Sequence, residues 1–101
     1  MIRGTTPTFT LTVDDESLDL TGALNVYATF KQGSTIIEKT GEDLVVTAQQ
    51  VEVYLSQEET LRFLTGTLKI QLNWTYVDGR RACTDIAEIN VGANLSSKVL
   101  A

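Results

Sequence analysis

Hydrophobic and polar residues alternate along most of the chain, and this pattern predicts strands with one buried face. Residues 8–13 place Phe9, Leu11 and Val13 on one face and three threonines on the other. Successive side chains of a strand point to opposite faces of its sheet, so this alternation indicates a half-buried strand. The same period recurs over residues 24–31, 51–55 and 68–76, and further strands are predicted over residues 35–39, 44–47 and 80–91. Residues 44–47 and 51–55 are expected to pair around Ala48-Gln49-Gln50.

Turn residues between these segments predict two hairpins. The first hairpin joins residues 24–31 to residues 35–39 through a turn at Gln32-Gly33-Ser34. Its first strand has Leu24, Val26, Ala28 and Phe30 on the inward face. The second hairpin turns at Asp78-Gly79, a pair that favours a two-residue type I′ turn with positive φ at both positions.

The last strand, residues 80–91, changes the face of its apolar residues partway along. Ala82, Thr84 and Ile86 share one face, whereas Ala87, Ile89 and Val91 share the other. A β-bulge near Ile86-Ala87 restores the inward direction after such a change. We therefore expect one extra residue in this strand.

Ser56-Gln57-Glu58-Glu59 interrupts the strand pattern and has the form of a helical capping box. In that motif the Ser hydroxyl accepts from the N–H of the third residue, whose carboxylate accepts from the N–H of the Ser. Leu61 and Leu64 continue an apolar stripe at helical spacing. The prediction is one short helical crossover over about 57–64, ending near Gly66.

About seven strands with frequent turns are typical of an immunoglobulin-like β-sandwich. The 101 residues fit a single domain, 1–101. The tail after about residue 92 has no clear element, and we expect it to be loose. The predicted fold class is thus an all-β sandwich with one helical crossover.

Composition argues against catalysis, metal binding and nucleic-acid binding. The chain has no histidine, one cysteine (Cys83) and a net charge of −5. Histidine is the commonest general base and metal ligand, and a nucleic-acid site needs a concentrated basic surface. We therefore expect no enzyme activity, no cofactor, no metal and no nucleic-acid partner.

Neither a signal peptide nor an apolar stretch of membrane-spanning length occurs in the sequence. We expect no membrane partner and cytoplasmic synthesis in the cell.

Two acidic groups have structural explanations. Asp14, Asp15, Glu16 and Asp19 match no calcium-loop spacing, so we interpret them as a solvated turn, leaving open whether they bind an ion. Glu58 and Glu59 are adjacent residues of one helical turn, which suits the positive helix end better than paired catalytic carboxylates.

The aromatic residues fall into two groups by strand parity. Trp74 and Tyr76 share the apolar face of residues 68–76 and are expected in or beside the core. Tyr27 and Tyr54 lie on polar faces, where tyrosine can stack on a sugar or anchor a protein contact. These two tyrosines form the candidate interaction surface, with packing on neighbouring side chains as the alternative for each.

Four segments resemble small prophage tail-associated proteins of Firmicutes and the N-terminal sandwich domain of phage baseplate upper proteins. They are Arg3-Gly4-Thr5-Thr6-Pro7-Thr8-Phe9, Val26-Tyr27-Ala28-Thr29-Phe30-Lys31-Gln32-Gly33, Leu55-Ser56-Gln57-Glu58-Glu59-Thr60-Leu61-Arg62-Phe63 and Gly66-Thr67-Leu68-Lys69-Ile70-Gln71-Leu72-Asn73. The baseplate proteins continue into further domains, whereas we expect this sequence to form the sandwich domain alone.

The resemblance implies a non-catalytic structural or protein-interaction module that binds other phage tail or baseplate proteins. It also implies incorporation into the virion or a role in its assembly. Edge strands of a sandwich allow self-association into a homo-oligomer. The alternative function is a carbohydrate-binding module that uses Tyr27 and Tyr54 as a stacking platform.

Overall fold

The computed structural model describes residues 1–101, which form two antiparallel sheets packed as a β-sandwich. The smaller sheet has the order β1-β5-β4, and the larger has β3-β2-β6 followed by both β7 and β8, which pair with successive parts of β6. The strands are β1 (Thr8–Thr12), β2 (Asn25–Gln32), β3 (Thr35–Thr40), β4 (Leu44–Val46), β5 (Gln50–Tyr54), β6 (Gly66–Thr75), β7 (Arg81–Cys83) and β8 (Ala87–Val91). One α-helix, α1 (Gln57–Leu61), connects the two sheets. The predicted all-β sandwich is confirmed.

The core lies between the sheets, on the faces that the alternation predicted. Phe30, Leu68 and Val51 are fully buried, and Trp74 is nearly so, with its indole N–H donating to the Tyr76 hydroxyl at 3.0 Å. Leu24 is an exception to the predicted inward face. It precedes β2 and is 59% exposed, because the strand begins only at Asn25.

The second strand lies in the middle of the larger sheet. β2 pairs with β3 on one side and with β6 on the other. In immunoglobulin constant domains the first two strands belong to the same sheet, whereas here β1 and β2 belong to different sheets. Sandwiches of this kind share the architecture without always sharing the topology. Because β2 lies between β3 and β6, the outward side chains of β3, β2, β6 and β7 form one continuous surface.

The last predicted strand is divided into β7 and β8, and the expected bulge is confirmed. Ala82 lies opposite Trp74, and Ile89 lies opposite Leu68. Ala82 and Ile89 are seven positions apart in sequence, whereas their partners on β6 are six positions apart. One extra residue is therefore accommodated between Cys83 and Ala87. Thr84 fills the break, because its N–H and hydroxyl bond the carbonyl and N–H of Leu72.

The two predicted hairpins use different turns. Gly33 has φ +56° in the two-residue loop between β2 and β3, which suits a type II′ turn because Ser34 does not have positive φ. The type I′ turn predicted at Asp78-Gly79 is wrong, since only Gly79 has positive φ, at +89°. The loop consists of Val77, Asp78 and Gly79. The N–H of Tyr76 closes it by donating to the carbonyl of Arg80 at 2.9 Å. A type I turn followed by a left-handed glycine is the common form of such loops.

The predicted capping box is confirmed, but the helix is shorter than expected. The Ser56 hydroxyl accepts from the N–H of Glu59 at 3.2 Å, and the Glu59 carboxylate accepts from the N–H of Ser56 at 3.0 Å. The helix ends at Leu61 rather than near Leu64, which is 68% exposed, and Phe63 enters the core instead. The Arg3 guanidinium donates to the carbonyls of Leu61 and Phe63, so the exit of the helix is fixed by a side chain.

The segment after Gly92 has no regular element, as predicted, but hydrogen bonds attach it to the domain. Asn94 donates to the carbonyl of Arg3 at 2.9 Å. The amide group of Gln57 bonds both the N–H and the carbonyl of Leu100, at 2.8 and 2.9 Å. The N-terminal segment, α1 and the C-terminal segment therefore meet at one end of the sandwich.

No helix of this structure has both the length and the apolar character needed to span a membrane.

Candidate functional site

The outward face of the larger sheet contains a shallow polar depression of about 480 Å³. Strand parity brings its lining together, because alternate residues of adjacent strands point to the same side. One lining residue, Tyr27, is aromatic, and the other six are polar: Thr29, Glu38, Gln71, Asn73, Thr75 and Arg81. We call this surface the Tyr27 depression.

Hydrogen bonds across the strands fix several side chains of the Tyr27 depression. Arg81 donates from Nε and Nη2 to the Asn73 Oδ1 at 3.2 and 2.9 Å. The Thr29 hydroxyl donates to Glu38 Oε2 at 2.9 Å, and Gln71 Nε2 donates to the carbonyl of Thr84 at 2.8 Å. These bonds engage Oδ1 of Asn73, Nε2 of Gln71 and one carboxylate oxygen of Glu38.

The other ends of the same groups are available to a ligand. Asn73 retains its NH₂ donors, Gln71 retains its carbonyl acceptor, and Glu38 retains its second oxygen, since none of these atoms bonds another protein group. The Tyr27 hydroxyl also has no hydrogen-bond partner within the chain, and its ring is half-buried. The depression therefore presents oriented donors and acceptors beside one aromatic ring.

Two lysines lie next to the Tyr27 depression on the same strands. Lys31 and Lys69 are directly opposite each other in the β2–β6 register. A second, smaller depression contains both lysines and shares Thr29 and Gln71 with the first. Neither lysine forms a salt bridge, although Glu88 is opposite Lys69 on β8. We call Lys31 and Lys69 the lysine pair.

The two predicted interaction tyrosines are not brought together. Tyr27 is on the outer face of the larger sheet, whereas Tyr54 is 51% exposed on β5 of the smaller sheet. The neighbours of Tyr54, Val53 and Leu55, are buried between the sheets, so its ring points to the opposite outer surface of the sandwich. A single stacking platform that uses both tyrosines is incompatible with this arrangement.

The acidic residues after β1 are turn residues, as interpreted from the sequence. Asp15 accepts from the hydroxyl and N–H of Ser17, and these bonds hold the pKa of Asp15 below its ordinary value. Asp19 accepts from the N–H and hydroxyl of Thr21. No group of three or more potential metal-ligating side chains occurs in the structure.

Glu58 and Glu59 differ sharply in their surroundings. Glu58 is exposed, whereas Glu59 also forms a salt bridge of 2.7 Å with Lys39. Burial raises the pKa of Glu59, but Lys39 and the N–H of Ser56 outweigh it and hold the pKa below its ordinary value. Lys39 is only 17% exposed, a burial that the sequence did not indicate. Glu59 therefore has a structural role in both the helix cap and the ion pair.

Sequence reasoning found Tyr27 but missed the polar residues around it. Glu38, Gln71, Asn73 and Arg81 come from three other strands and are unremarkable in sequence. Their parity was correctly assigned for β6, where Gln71 and Asn73 alternate with buried residues. What the sequence lacked was the sheet order, because only the pairing of β2 with β3 and β6 makes them neighbours.

Comparison with protein-family models, curated proteins and solved structures finds no match to the chain.

Proposed function

We propose that this domain is a non-catalytic structural or protein-interaction module of a prophage tail or baseplate. The four segments that resemble tail-associated proteins support the context. The observation that carries the interaction role is the group of exposed apolar side chains on the joined terminal segments. These are Ile2, Leu95, Val99 and Leu100, which we call the terminal apolar residues.

The terminal apolar residues are exposed despite being held in place. Leu95 is fully exposed, and Val99 and Leu100 are more than half exposed. The Gln57–Leu100 and Asn94–Arg3 hydrogen bonds fix the backbone that carries them. Apolar side chains on an ordered segment gain free energy when a partner covers them, at about 25 cal/mol per Å². Such a segment suits a contact with another protein.

The proposed partners are other phage tail or baseplate proteins, with a second copy of this chain as the alternative. Synthesis in the bacterial cytoplasm followed by assembly into the virion suits this role. Association edge to edge is the less suitable mode for β3, because Lys39 of that strand points inward and β-sheet edges with inward charges disfavour strand addition.

The test combines solution mass with binding to proteins encoded by neighbouring genes. We expect the full chain to form a defined oligomer or to retain a neighbouring tail protein. Replacing Leu95, Val99 and Leu100 together by serine should weaken that complex at least tenfold. The control is Val77→Ser, which removes an apolar residue that is 83% exposed from the β6–β7 loop. A monomer that binds none of these proteins contradicts the proposal.

A carbohydrate-binding module remains the second candidate function, and one observation favours it. Tyr27 stands within a polar depression that contains two carboxamides, a carboxylate and a guanidinium. Tyr54 does not contribute to that site. The candidate site is therefore narrower than the two-tyrosine platform expected from the sequence.

A further inference from the structure

We propose that the outer face of the larger sheet binds an acidic glycan, with one sugar on Tyr27 and an acidic group at the lysine pair. This inference rests on the second candidate function, carbohydrate binding at the Tyr27 depression, and adds the lysine pair to that site. It does not depend on the tail context or on the terminal apolar residues, which lie on other segments of the chain.

The Tyr27 depression has the chemistry that a sugar ring requires. A sugar offers a C–H face that packs on an aromatic ring and hydroxyl groups that both donate and accept. Tyr27 supplies the ring, the Asn73 NH₂ group supplies donors, and Gln71 Oε1 supplies an acceptor. Because their other ends are already bonded to the protein, these amides are oriented before a ligand arrives. A few fixed polar groups of this kind determine orientation and specificity in ligand sites.

The lysine pair indicates an acidic substituent. Like charges directly opposite each other on neighbouring strands destabilise a sheet. Lys31 and Lys69 are held in that arrangement by the β2–β6 register, and no carboxylate lies within salt-bridge distance of either. Glu38 and Glu88 are the acidic residues on the neighbouring strands of this face. A ligand carboxylate or phosphate between the two ammonium groups would relieve their repulsion.

The distance between the two parts of the site favours a chain of sugars over a monosaccharide. Tyr27 and Lys31 are four residues apart on β2, which corresponds to about 13 Å along a strand. Thr29 and Gln71 connect the two depressions without a break. We therefore place the glycan along β2 and β6, across several sugar units.

The test measures binding of the full chain to four soluble polymers by calorimetry at low salt. Oligogalacturonate and phosphorylated dextran present sugars with carboxylate and with phosphate, respectively. Unmodified dextran presents sugars without an acidic group, and polyglutamate presents acidic groups without sugars. We expect at least one acidic glycan to bind about tenfold more tightly than dextran and polyglutamate. If polyglutamate binds as tightly as the acidic glycans, the site recognises an acidic peptide chain and the proposal is overturned. If dextran binds as tightly, the lysine pair has no role and the proposal is likewise overturned. Absence of binding to both acidic glycans also overturns the proposal.

Variants locate the binding on this face. Tyr27→Ala should weaken acidic-glycan binding about tenfold, while Tyr54→Ala, on the opposite outer face, should leave it unchanged. Because Tyr27 is half-buried, Tyr27→Leu is measured in parallel as a variant that keeps apolar packing and removes the ring. The double change Lys31→Gln and Lys69→Gln should weaken binding about tenfold and flatten its salt dependence, unlike Lys98→Gln in the C-terminal segment. Equal binding by the Tyr27 and Tyr54 variants overturns the assignment.

Discussion

The ammonium group of Lys39 lies 2.7 Å from Glu59 Oε2, and this ion pair joins an edge strand to the only α-helix. Glu59 simultaneously accepts from the N–H of Ser56, so one carboxylate completes the capping box and neutralises Lys39. The two side chains are 17% and 23% exposed. Both charges are thus largely removed from water and depend on each other.

This ion pair also affects the free edge of the larger sheet. Lys39 is on β3, whose side chains at Ile37 and Lys39 alternate with the more exposed Ile36 and Glu38. An inward charge on an edge strand opposes pairing with another strand, because pairing would bury it further. Glu59 provides a partner for that charge within the chain. The helix position and the edge protection therefore depend on the same contact.

Replacing Glu59 by glutamine should lower the free energy of unfolding by about 2 kcal/mol. The change replaces a charge-assisted hydrogen bond by a neutral one and leaves Lys39 largely buried without its counter-ion, and these losses together cost on the order of 1–3 kcal/mol. The matched control is Glu58→Gln, since Glu58 is exposed and its carboxylate forms no hydrogen bond or salt bridge within the chain; its effect should remain within about 0.5 kcal/mol. Urea unfolding followed by tryptophan fluorescence provides the measurement. Equal effects of the two substitutions would show that the ion pair contributes nothing.

The contribution of Glu59 should also depend on pH in a defined direction. Its pKa in the folded chain lies below the ordinary value of 4.5, so the folded state favours the ionised carboxylate. That stabilisation is complete above the unfolded pKa and is lost as the pH falls through the folded pKa. The stability difference between the natural chain and Glu59→Gln should therefore be constant near neutral pH and shrink below about pH 4.5. Unfolding curves at a series of pH values test this, and a difference that grows on acidification would contradict the sign.

Local patterns in the sequence predicted most of the fold. The alternation in residues 68–76 identified the buried face of β6, and Ser56 and Glu59 identified the start of the helix. The end of the helix was not predictable in the same way, because the Arg3 side chain, distant in sequence, bonds the last carbonyls. Long-range contacts of this kind have no local signature.

The candidate site was less predictable than the fold. Tyr27 was identified from parity alone, but its functional neighbours depend on which strands flank β2. The same parity argument placed Tyr54 on an outward face, but Tyr54 lies on the other sheet. Parity distinguishes inside from outside and contains no information about which of the two outer faces a residue occupies.

The three-residue loop between β6 and β7 predicts a strong effect at Gly79. Its φ of +89° is in the region that residues with a Cβ atom rarely adopt. Gly79→Ala should lower the free energy of unfolding by about 1–2 kcal/mol, although nothing lies within contact of the added methyl group. Gly22→Ala is the matched control, since that position also has open space but not positive φ, and its effect should be near zero. A neutral Gly79→Ala would show that the loop adopts a different turn.

The bulge between β7 and β8 predicts that the chain tolerates the loss of one residue at that point. Ala82 and Ile89 are seven positions apart and both pack against the core, although they lie opposite residues of β6 that are only six positions apart. Deleting the exposed Asp85 should leave six positions on each strand, so that Ile89 keeps its inward direction in a regular strand. Deleting Thr29 from the regular strand β2 should instead turn the buried Phe30 outward, because a one-residue shift reverses the face of every later side chain. Since burial of one such side chain contributes about 1.5–3 kcal/mol, the Thr29 deletion should cost about 3 kcal/mol or more and the Asp85 deletion far less. Thermal unfolding compares the two deletions, and amide hydrogen exchange follows the protection of β8; loss of that protection in the Asp85 deletion would mean that the extra residue is needed.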